Sequence, residues 1–147
     1  MTVKPLHKKE DVKNFFQITT RIYQDIPYFR STEDDIIKLL VNGPTHFHTH
    51  AEVIPYLIMD QNKITGRFAL IHDLRLLDYI QVAFFESLNK LYDPVTLIKH
   101  EVEKKYPDAE HITFGLNGHL NYGAGILQNN FEKVPVFGLP YTPEYYL

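Results

Sequence analysis

The chain has 147 residues, a net charge of −3 and no cysteine. This length suits one domain, and the lack of cysteine excludes disulfides, thiolate metal ligands and a cysteine nucleophile. Lysine and arginine are scattered along the chain, which argues against a nucleic-acid partner or an anionic membrane surface. Because no apolar stretch reaches the length of a signal peptide or a membrane span, we expect a cytoplasmic protein that does not enter the membrane.

The first third of the chain carries two helical patterns. Apolar residues recur at helical spacing in Lys9–Gln24, and this helix should stop before Pro27, which disfavours helical geometry in the residue ahead of it. A second helix is predicted to begin at Thr32, whose hydroxyl can cap the first turn. It is predicted to end at Asn42-Gly43-Pro44, a sequence typical of a helix stop.

Residues 45–50 read THFHTH, with a histidine at every second position. In an extended strand, His46, His48 and His50 would share one face. A metal site would also need the three rings to converge on one ion, because parallel side chains do not do so by themselves. Further ligands would have to come from His72, Asp73 or His119. We interpret THFHTH as a structural segment, expect no metal, and keep a histidine-rich metal-binding module as an alternative function.

The middle of the chain changes to strand patterns. Val53–Met59 and Ile64–His72 are rich in β-branched and aromatic residues and flank a short polar turn, which predicts an antiparallel hairpin. Tyr79–Ser87 is a third strand candidate, and a helix is predicted to follow with the aspartate of Asp93-Pro94 as its N-cap. His111–Leu116 has the pattern of a returning strand. The order strand, helix, strand favours a parallel crossover.

The last thirty residues are rich in glycine, asparagine and proline and predict a loop, one short helix and a final strand around residues 136–139. The closing aromatic residues are Phe137, Tyr141, Tyr145 and Tyr146. Tyrosine combines a large apolar area with a polar tip, so this aromatic C-terminal segment is predicted to cover an open sheet edge or to contact a partner.

The order helix, helix, hairpin, strand, crossover helix, strand resembles the GNAT superfamily of acyl-CoA-dependent N-acyltransferases. FFQITTRIYQDIPYF is similar to that family's opening helix, while THFHTHAEVIPYLIMDQNKITGRFALIHD and FGLNGHLNYGAGILQNNFEKVPVFGLPYTPEYY resemble one uncharacterised GNAT-like branch. The resemblance implies an α/β fold of the α+β type, with a GNAT-like mixed, mostly antiparallel central sheet flanked by helices.

In that branch, the similar region is the N-terminal lobe of a longer protein with a second acyltransferase-like lobe. The resemblance therefore implies that residues 1–147 form a single GNAT-like domain and that the active site of the longer protein could lie in the second lobe. It also implies a partner, which is either that second lobe or another copy bound through the aromatic C-terminal segment.

Acyl-CoA binding in this superfamily normally uses a glycine-rich turn after the central strand, where backbone amides and a helix N-terminus receive the pyrophosphate. Here residues 84–95 read FFESLNKLYDPV without glycine, and Glu86 adds a repulsive charge. We therefore expect no cofactor in this domain, and acyl-CoA only if the chain is an active enzyme. The helix that starts near Pro94 leaves a weak anion site open.

An N-acyltransferase needs a base for the incoming ammonium and often an acid for the departing thiolate. Glu86, at the end of the central strand, is the candidate base, and Tyr122 is the candidate acid. Asn117 and Asn121 are candidate substrate-binding residues at a pocket mouth, although asparagine and glycine also suit a chain reversal. We favour a degenerate or accessory acyltransferase-like lobe over an active N-acyltransferase that acts on a small amine.

Overall fold

The computed structural model describes residues 1–26, 34–134 and 141–147. These residues form a five-stranded sheet whose spatial order follows the chain. The strands are β1 (Thr2–Pro5), β2 (Ala51–Asp60), β3 (Lys63–Asp73), β4 (Tyr79–Ser87) and β5 (His111–Phe114). Neighbours from β1 to β4 pair antiparallel, and β4 pairs with β5 in parallel. The predicted mixed, mostly antiparallel sheet and its parallel crossover are confirmed.

The described residues form three α-helices: α1 (Lys9–Ile22), α2 (Asp34–Asn42) and α3 (Tyr92–Lys105). Short 3-10 helices span His46–Thr49, Leu120–Tyr122 and Glu144–Tyr146. None of the described helices has an apolar run long enough to cross a membrane.

Alternate residues of the strands pack in two separate cores, because successive side chains of a strand point to opposite faces of the sheet. On one face, Leu57 packs in a cluster with Phe15 of α1 and Ile37 of α2. On the other face, Phe68 packs in a cluster with Ile98 of α3. The sheet is therefore a central layer with α1 and α2 on one side and α3 on the other.

The hairpin between β2 and β3 is confirmed and has a two-residue turn. Asp60 pairs with Lys63, and Gln61 and Asn62 between them have φ values of 46° and 64°. Positive φ at both central positions is what a type I′ turn requires, and this turn matches the twist of the paired strands. Asparagine tolerates that conformation better than most residues.

The helix boundaries differ from the predictions in two places. The first helix ends at Ile22, two residues before the predicted end. The third helix begins at Tyr92, because Leu91 already has helical dihedral angles and its carbonyl accepts from the Val95 amide at 3.1 Å. The prediction that Asp93 is the N-cap is therefore wrong, and this aspartate lies inside the first turn.

Several short segments also differ from the predictions or lie outside the described residues. Strand β1 was not predicted, since its four residues are too few to give a clear pattern and it is held by pairing with β2. Residues 126–131 form no regular element, and the short helix predicted for the C-terminal part corresponds only to 3-10 turns. The predicted cap Thr32, the strand around residues 136–139 and Phe137 lie outside the described residues.

Candidate functional site

Strand β4 contains a bulge at its middle. Between the pairs that join residues 67 with 86 and 69 with 83, β4 has two residues, Phe84 and Phe85, where β3 has one. Phe84 adopts a φ of 53°, which is unusual for a bulky residue. A bulge leaves one backbone amide without a partner in the ladder, so the Phe84 amide needs an acceptor from elsewhere.

Asn117 supplies that acceptor. Its side-chain Oδ1 accepts from the Phe84 amide at 2.8 Å, and its own amide donates to the Gly123 carbonyl at 3.1 Å. The side chain is buried at 8% exposure. The side chain and the backbone of Asn117 therefore join the end of β4 to the loop at Gly123, and a role in substrate binding stays a prediction. Asn121 lies in the 3-10 helix Leu120–Tyr122, and its side chain is outside the described part of the structure.

The end of β4 runs beyond β5, because the pairing with β5 covers only residues 79–82. Two C-terminal tyrosines form hydrogen bonds with the backbone amide and carbonyl of Ser87. The Ser87 amide donates to the Tyr146 hydroxyl at 2.6 Å, and the Tyr145 hydroxyl donates to the Ser87 carbonyl at 2.6 Å. Tyr145 and Tyr146 thus cover this open part of the sheet, which is one of the two roles that the sequence predicted for the closing aromatic residues.

The predicted base Glu86 lies among these tyrosines. Its Oε2 accepts from the Tyr23 hydroxyl at 2.8 Å and from the Tyr146 hydroxyl at 3.1 Å. Across the sheet, Glu86 is in register with Arg67, which is 3% exposed and donates to the Phe15 carbonyl at 3.0 Å. These contacts form a tyrosine cluster, which consists of Tyr23, Glu86, Ser87, Tyr145 and Tyr146.

The phenols of the tyrosine cluster are held in their protonated form. Burial, and then the negative charge of Glu86, raise the pKa of Tyr23 and of Tyr146 well above the usual value. The same two causes raise the pKa of Tyr145 to about 12. These hydroxyls remain donors at neutral pH, and two of them already bind the Glu86 carboxylate.

Two backbone amides of the turn after β4 have acceptors within the chain. The Leu88 amide donates to the Thr65 carbonyl at 2.8 Å, and the Asn89 amide donates to the Ser87 hydroxyl oxygen at 2.9 Å. In the first turn of α3, Asp93 adds a negative charge and Pro94 has no amide hydrogen.

The predicted acid Tyr122 lies in different surroundings from Glu86. Its ring packs 6.2 Å from the Phe47 ring and 5.8 Å from the His119 ring, measured between centroids. It lines a cavity of about 380 Å³, called the histidine cavity below. The lining residues are Ile36, Leu39, Leu40, Thr45, His46, Phe47, His50, Arg75, His119 and Tyr122.

The THFHTH segment is not extended, since residues His46–Thr49 form a 3-10 helix. The extended arrangement in which His46, His48 and His50 would share one face is therefore not formed. The ring of His48 binds backbone instead, because its Nε2 lies 3.1 Å from the Leu40 carbonyl and its Nδ1 lies 3.0 Å from the Thr45 amide. A carbonyl only accepts and an amide only donates, so His48 carries its proton on Nε2.

A charged group at the end of β3 borders the histidine cavity. Asp73 is buried, and its carboxylate accepts from Arg75 Nε at 2.9 Å and from Arg75 Nη2 at 2.7 Å. His50 Nδ1 lies 3.6 Å from Asp73 Oδ1, beyond hydrogen-bond distance. Sequence reasoning treated Asp73 only as a metal ligand and missed Arg75. The described residues contain no group of three histidine or acidic side chains that could hold a metal.

No family model matches the chain, and no curated protein matches it. Among solved structures, the aminoglycoside 6'-N-acetyltransferase from Enterococcus faecium is similar over 78% of this chain and 59% of its own length, with 15% identity and a TM-score of 0.46. A GNAT family acetyltransferase from Staphylococcus aureus is similar over 80% of this chain and 88% of its own, with 19% identity and a TM-score of 0.45.

A third similar structure is an aminoglycoside acetyltransferase from an uncultured soil metagenomic sample in complex with sisomicin. It is similar over 79% of this chain and 77% of its own, with 12% identity and a TM-score of 0.46. Each of these likenesses has a TM-score below 0.5 and an identity below 25%, so the chemistry of this chain is argued from its own residues.

Proposed function

We propose that this chain is an acyltransferase-like domain that serves as an accessory lobe and has no acyltransferase activity of its own. The observation that carries the proposal is the closure of the free end of β4 by the chain's own side chains. Asn117 accepts a hydrogen bond from the Phe84 amide, and the two C-terminal tyrosines are hydrogen-bonded to the amide and carbonyl of Ser87. A pantetheine arm beside this part of β4 would have to displace these partners.

The turn after β4 supports the same proposal. A pyrophosphate is best bound by several free backbone amides at a helix N-terminus. Here two amides of the turn already have acceptors, and Asp93 places a like charge in the first turn of α3. Binding of the diphosphate would therefore lose amide donors and gain repulsion.

The alternative is an active enzyme that transfers an acyl group from acyl-CoA to a small amine, with Glu86 as base and Tyr122 as acid. Glu86 would first have to exchange two phenol partners for the ammonium of a substrate. Tyr122 would have to act from the histidine cavity. The accessory reading needs neither change.

Isothermal titration calorimetry with acetyl-CoA and with longer acyl-CoAs tests the proposal. We expect no saturable heat at ligand concentrations up to about 1 mM, which corresponds to a binding free energy weaker than about −4 kcal/mol. Circular dichroism of the same sample confirms that the protein is folded. Binding at micromolar concentration would overturn the proposal and restore the enzyme as the better interpretation.

For an accessory lobe, we propose a partner that is either a second acyltransferase-like lobe or a second copy of this chain. Part of the aromatic C-terminal segment is already used internally, because Tyr141 and Tyr146 are buried. Tyr145, at 39% exposure, and Leu147, at 67%, keep apolar surface for a partner. Sedimentation of the wild-type chain and of Leu147→Ser at several concentrations shows whether this end joins two copies.

A further inference from the structure

The histidine cavity has no part in the proposed function, and its size suits a small molecule. Its volume of about 380 Å³ falls in the range of roughly 300 to 1,000 Å³ that is usual for ligand pockets. Separate segments of the chain build it: α2, the 3-10 helix His46–Thr49, and the loops that follow β3 and β5. Because these segments are distant in sequence, the cavity forms only when the tertiary fold brings them together.

One side of the cavity is apolar. Ile36 and Leu39 come from α2, and Phe47 comes from the 3-10 helix. Leu39 is 60% exposed although it stands beside this concave surface. Leucine and phenylalanine side chains gain free energy when an apolar group covers them. This side therefore favours a ligand with an apolar body.

The polar side contains a guanidinium in a fixed position. The fork between Arg75 and Asp73 uses Nε and Nη2, which leaves both hydrogens of Nη1 to donate elsewhere. Hydrogen bonds from Arg75 lower the pKa of Asp73 to about 2, so the fork persists at neutral pH. A guanidinium that is hydrogen-bonded to one carboxylate can bind a second carboxylate through its remaining N–H groups.

His50 adds a second polar side chain to the lining. Its Nδ1 is buried beside Asp73 and has no hydrogen-bond partner among the described residues. The described lining residues include Arg75 and three histidines but no carboxylate. The balance of polar groups therefore favours an anionic ligand over a cationic one.

We propose that the histidine cavity binds a small organic carboxylate with an apolar body. The carboxylate is bound by Arg75, and the apolar body packs on Leu39 and Phe47. This site is independent of acyl-CoA, so the calorimetric test of the proposed function and the test of this cavity can fail separately.

The first test compares four probes by NMR titration of the labelled full chain: hexanoate, benzoate, hexanol and inorganic phosphate. We expect the two carboxylates to saturate and to shift amides within residues 45–50 and 74–76. Hexanol lacks the charge-assisted hydrogen bonds and should bind at least about tenfold more weakly. Phosphate lacks an apolar body and should also bind more weakly than hexanoate.

Each of the other outcomes overturns the proposal. Equal affinity for hexanol and hexanoate removes the role of the carboxylate, and equal affinity for phosphate and hexanoate removes the role of the apolar body. Absence of saturation, or shifts confined to another part of the chain, removes the site itself.

Two variants separate the two halves of the cavity. Arg75→Gln should weaken hexanoate binding by about tenfold or more, because it removes a charged donor. Its control is Arg21→Gln, which changes an exposed arginine on α1 and should leave the affinity unchanged. Leu39→Ser should weaken hexanoate but not phosphate, with the exposed Val134→Ser as control. If Arg75→Gln fails to fold, Leu39→Ser still decides, since its side chain is largely outside the core.

Discussion

The tyrosine cluster and the histidine cavity use similar residue types in opposite ways. In the tyrosine cluster, the polar groups bind each other: Glu86 accepts from two phenols, and both backbone groups of Ser87 bind tyrosine hydroxyls. In the histidine cavity, Arg75 keeps donors beyond those that Asp73 uses. Polar groups that bind one another stabilise a fold, whereas donors without a protein acceptor are available to a ligand.

Burial separates the two regions in the same way. Tyr23 and Tyr146 are 5% and 3% exposed, while the Arg75 side chain is 63% exposed. A buried aromatic ring contributes to the free energy of unfolding through its contacts, and an exposed side chain contributes little. Changes in the tyrosine cluster should therefore lower stability, and changes in the histidine cavity should mainly lower ligand affinity.

The largest expected effect is on Tyr146. Tyr146→Ala removes a buried ring, the donor to Glu86 and the acceptor for the Ser87 amide. We expect it to lower the free energy of unfolding by about 3 to 5 kcal/mol, as for other truncations of large buried aromatic residues. Urea denaturation followed by circular dichroism measures the change.

Two further variants sharpen that measurement. Tyr146→Phe keeps the ring and removes the hydroxyl, so a loss of about 1 to 3 kcal/mol is expected. Tyr92→Ala changes a tyrosine that is 80% exposed and should stay within about 0.5 kcal/mol of wild type. If Tyr146→Ala cost no more than Tyr92→Ala, the tyrosine cluster would not close the sheet, and the end of β4 would be available to a ligand.

A smaller effect is expected at Asn117, which joins the two regions. Its Oδ1 binds the bulge amide of Phe84, and its Nδ2 lies 3.5 Å from the Tyr122 carbonyl at the cavity. Asn117→Ala leaves the Phe84 amide buried without an acceptor, so a loss of about 1 to 3 kcal/mol is expected. Hydrogen exchange at Phe84 should speed up by more than at its neighbours, while the exposed Asn129→Ala should change neither quantity.

Local patterns in the sequence were enough for much of the fold. The helical spacing of Lys9–Gln24, the polar turn between two apolar runs and the alternation in Tyr79–Ser87 each gave the correct element. These features work because periodicity and turn chemistry act over a few neighbouring residues. The hairpin turn at Gln61 and Asn62 is the clearest case, since asparagine accommodates positive φ.

The tyrosine cluster and the histidine cavity could not be predicted in this way, because they depend on contacts between residues that are distant in sequence. Tyr23 meets Glu86 across 63 positions of the chain, and Asn117 meets Phe84 across 33. The alternating histidines of THFHTH suggested a strand, but tertiary contacts hold His48 against the backbone of α2 in a 3-10 turn. One local signal was overlooked: an aspartate two positions before an arginine, which forms the fork of Asp73 and Arg75.

The smallest of these stability effects concerns Asp73, at the charged side of the histidine cavity. Chiefly through hydrogen bonds from Arg75, its pKa in the folded protein is about 2, below the ordinary value of 3.8. Its stabilising effect is therefore present above about pH 4 and is lost as the pH falls toward 2. Because Arg75 is mostly exposed and solvent screens the pair, Asp73→Asn should lower the free energy of unfolding at pH 7 by only about 1 kcal/mol.

Urea denaturation of wild type and Asp73→Asn at pH 7 and pH 2 checks this, with the exposed Asp108→Asn as control. Most of the difference between wild type and Asp73→Asn should disappear at pH 2, where the carboxyl is largely protonated in the unfolded chain and half protonated in the folded one. A difference of equal size at both pH values would mean that Asp73 acts through packing. Arg75 would then have no charged partner that fixes it for a ligand, and the contrast between the two regions would lose its electrostatic basis.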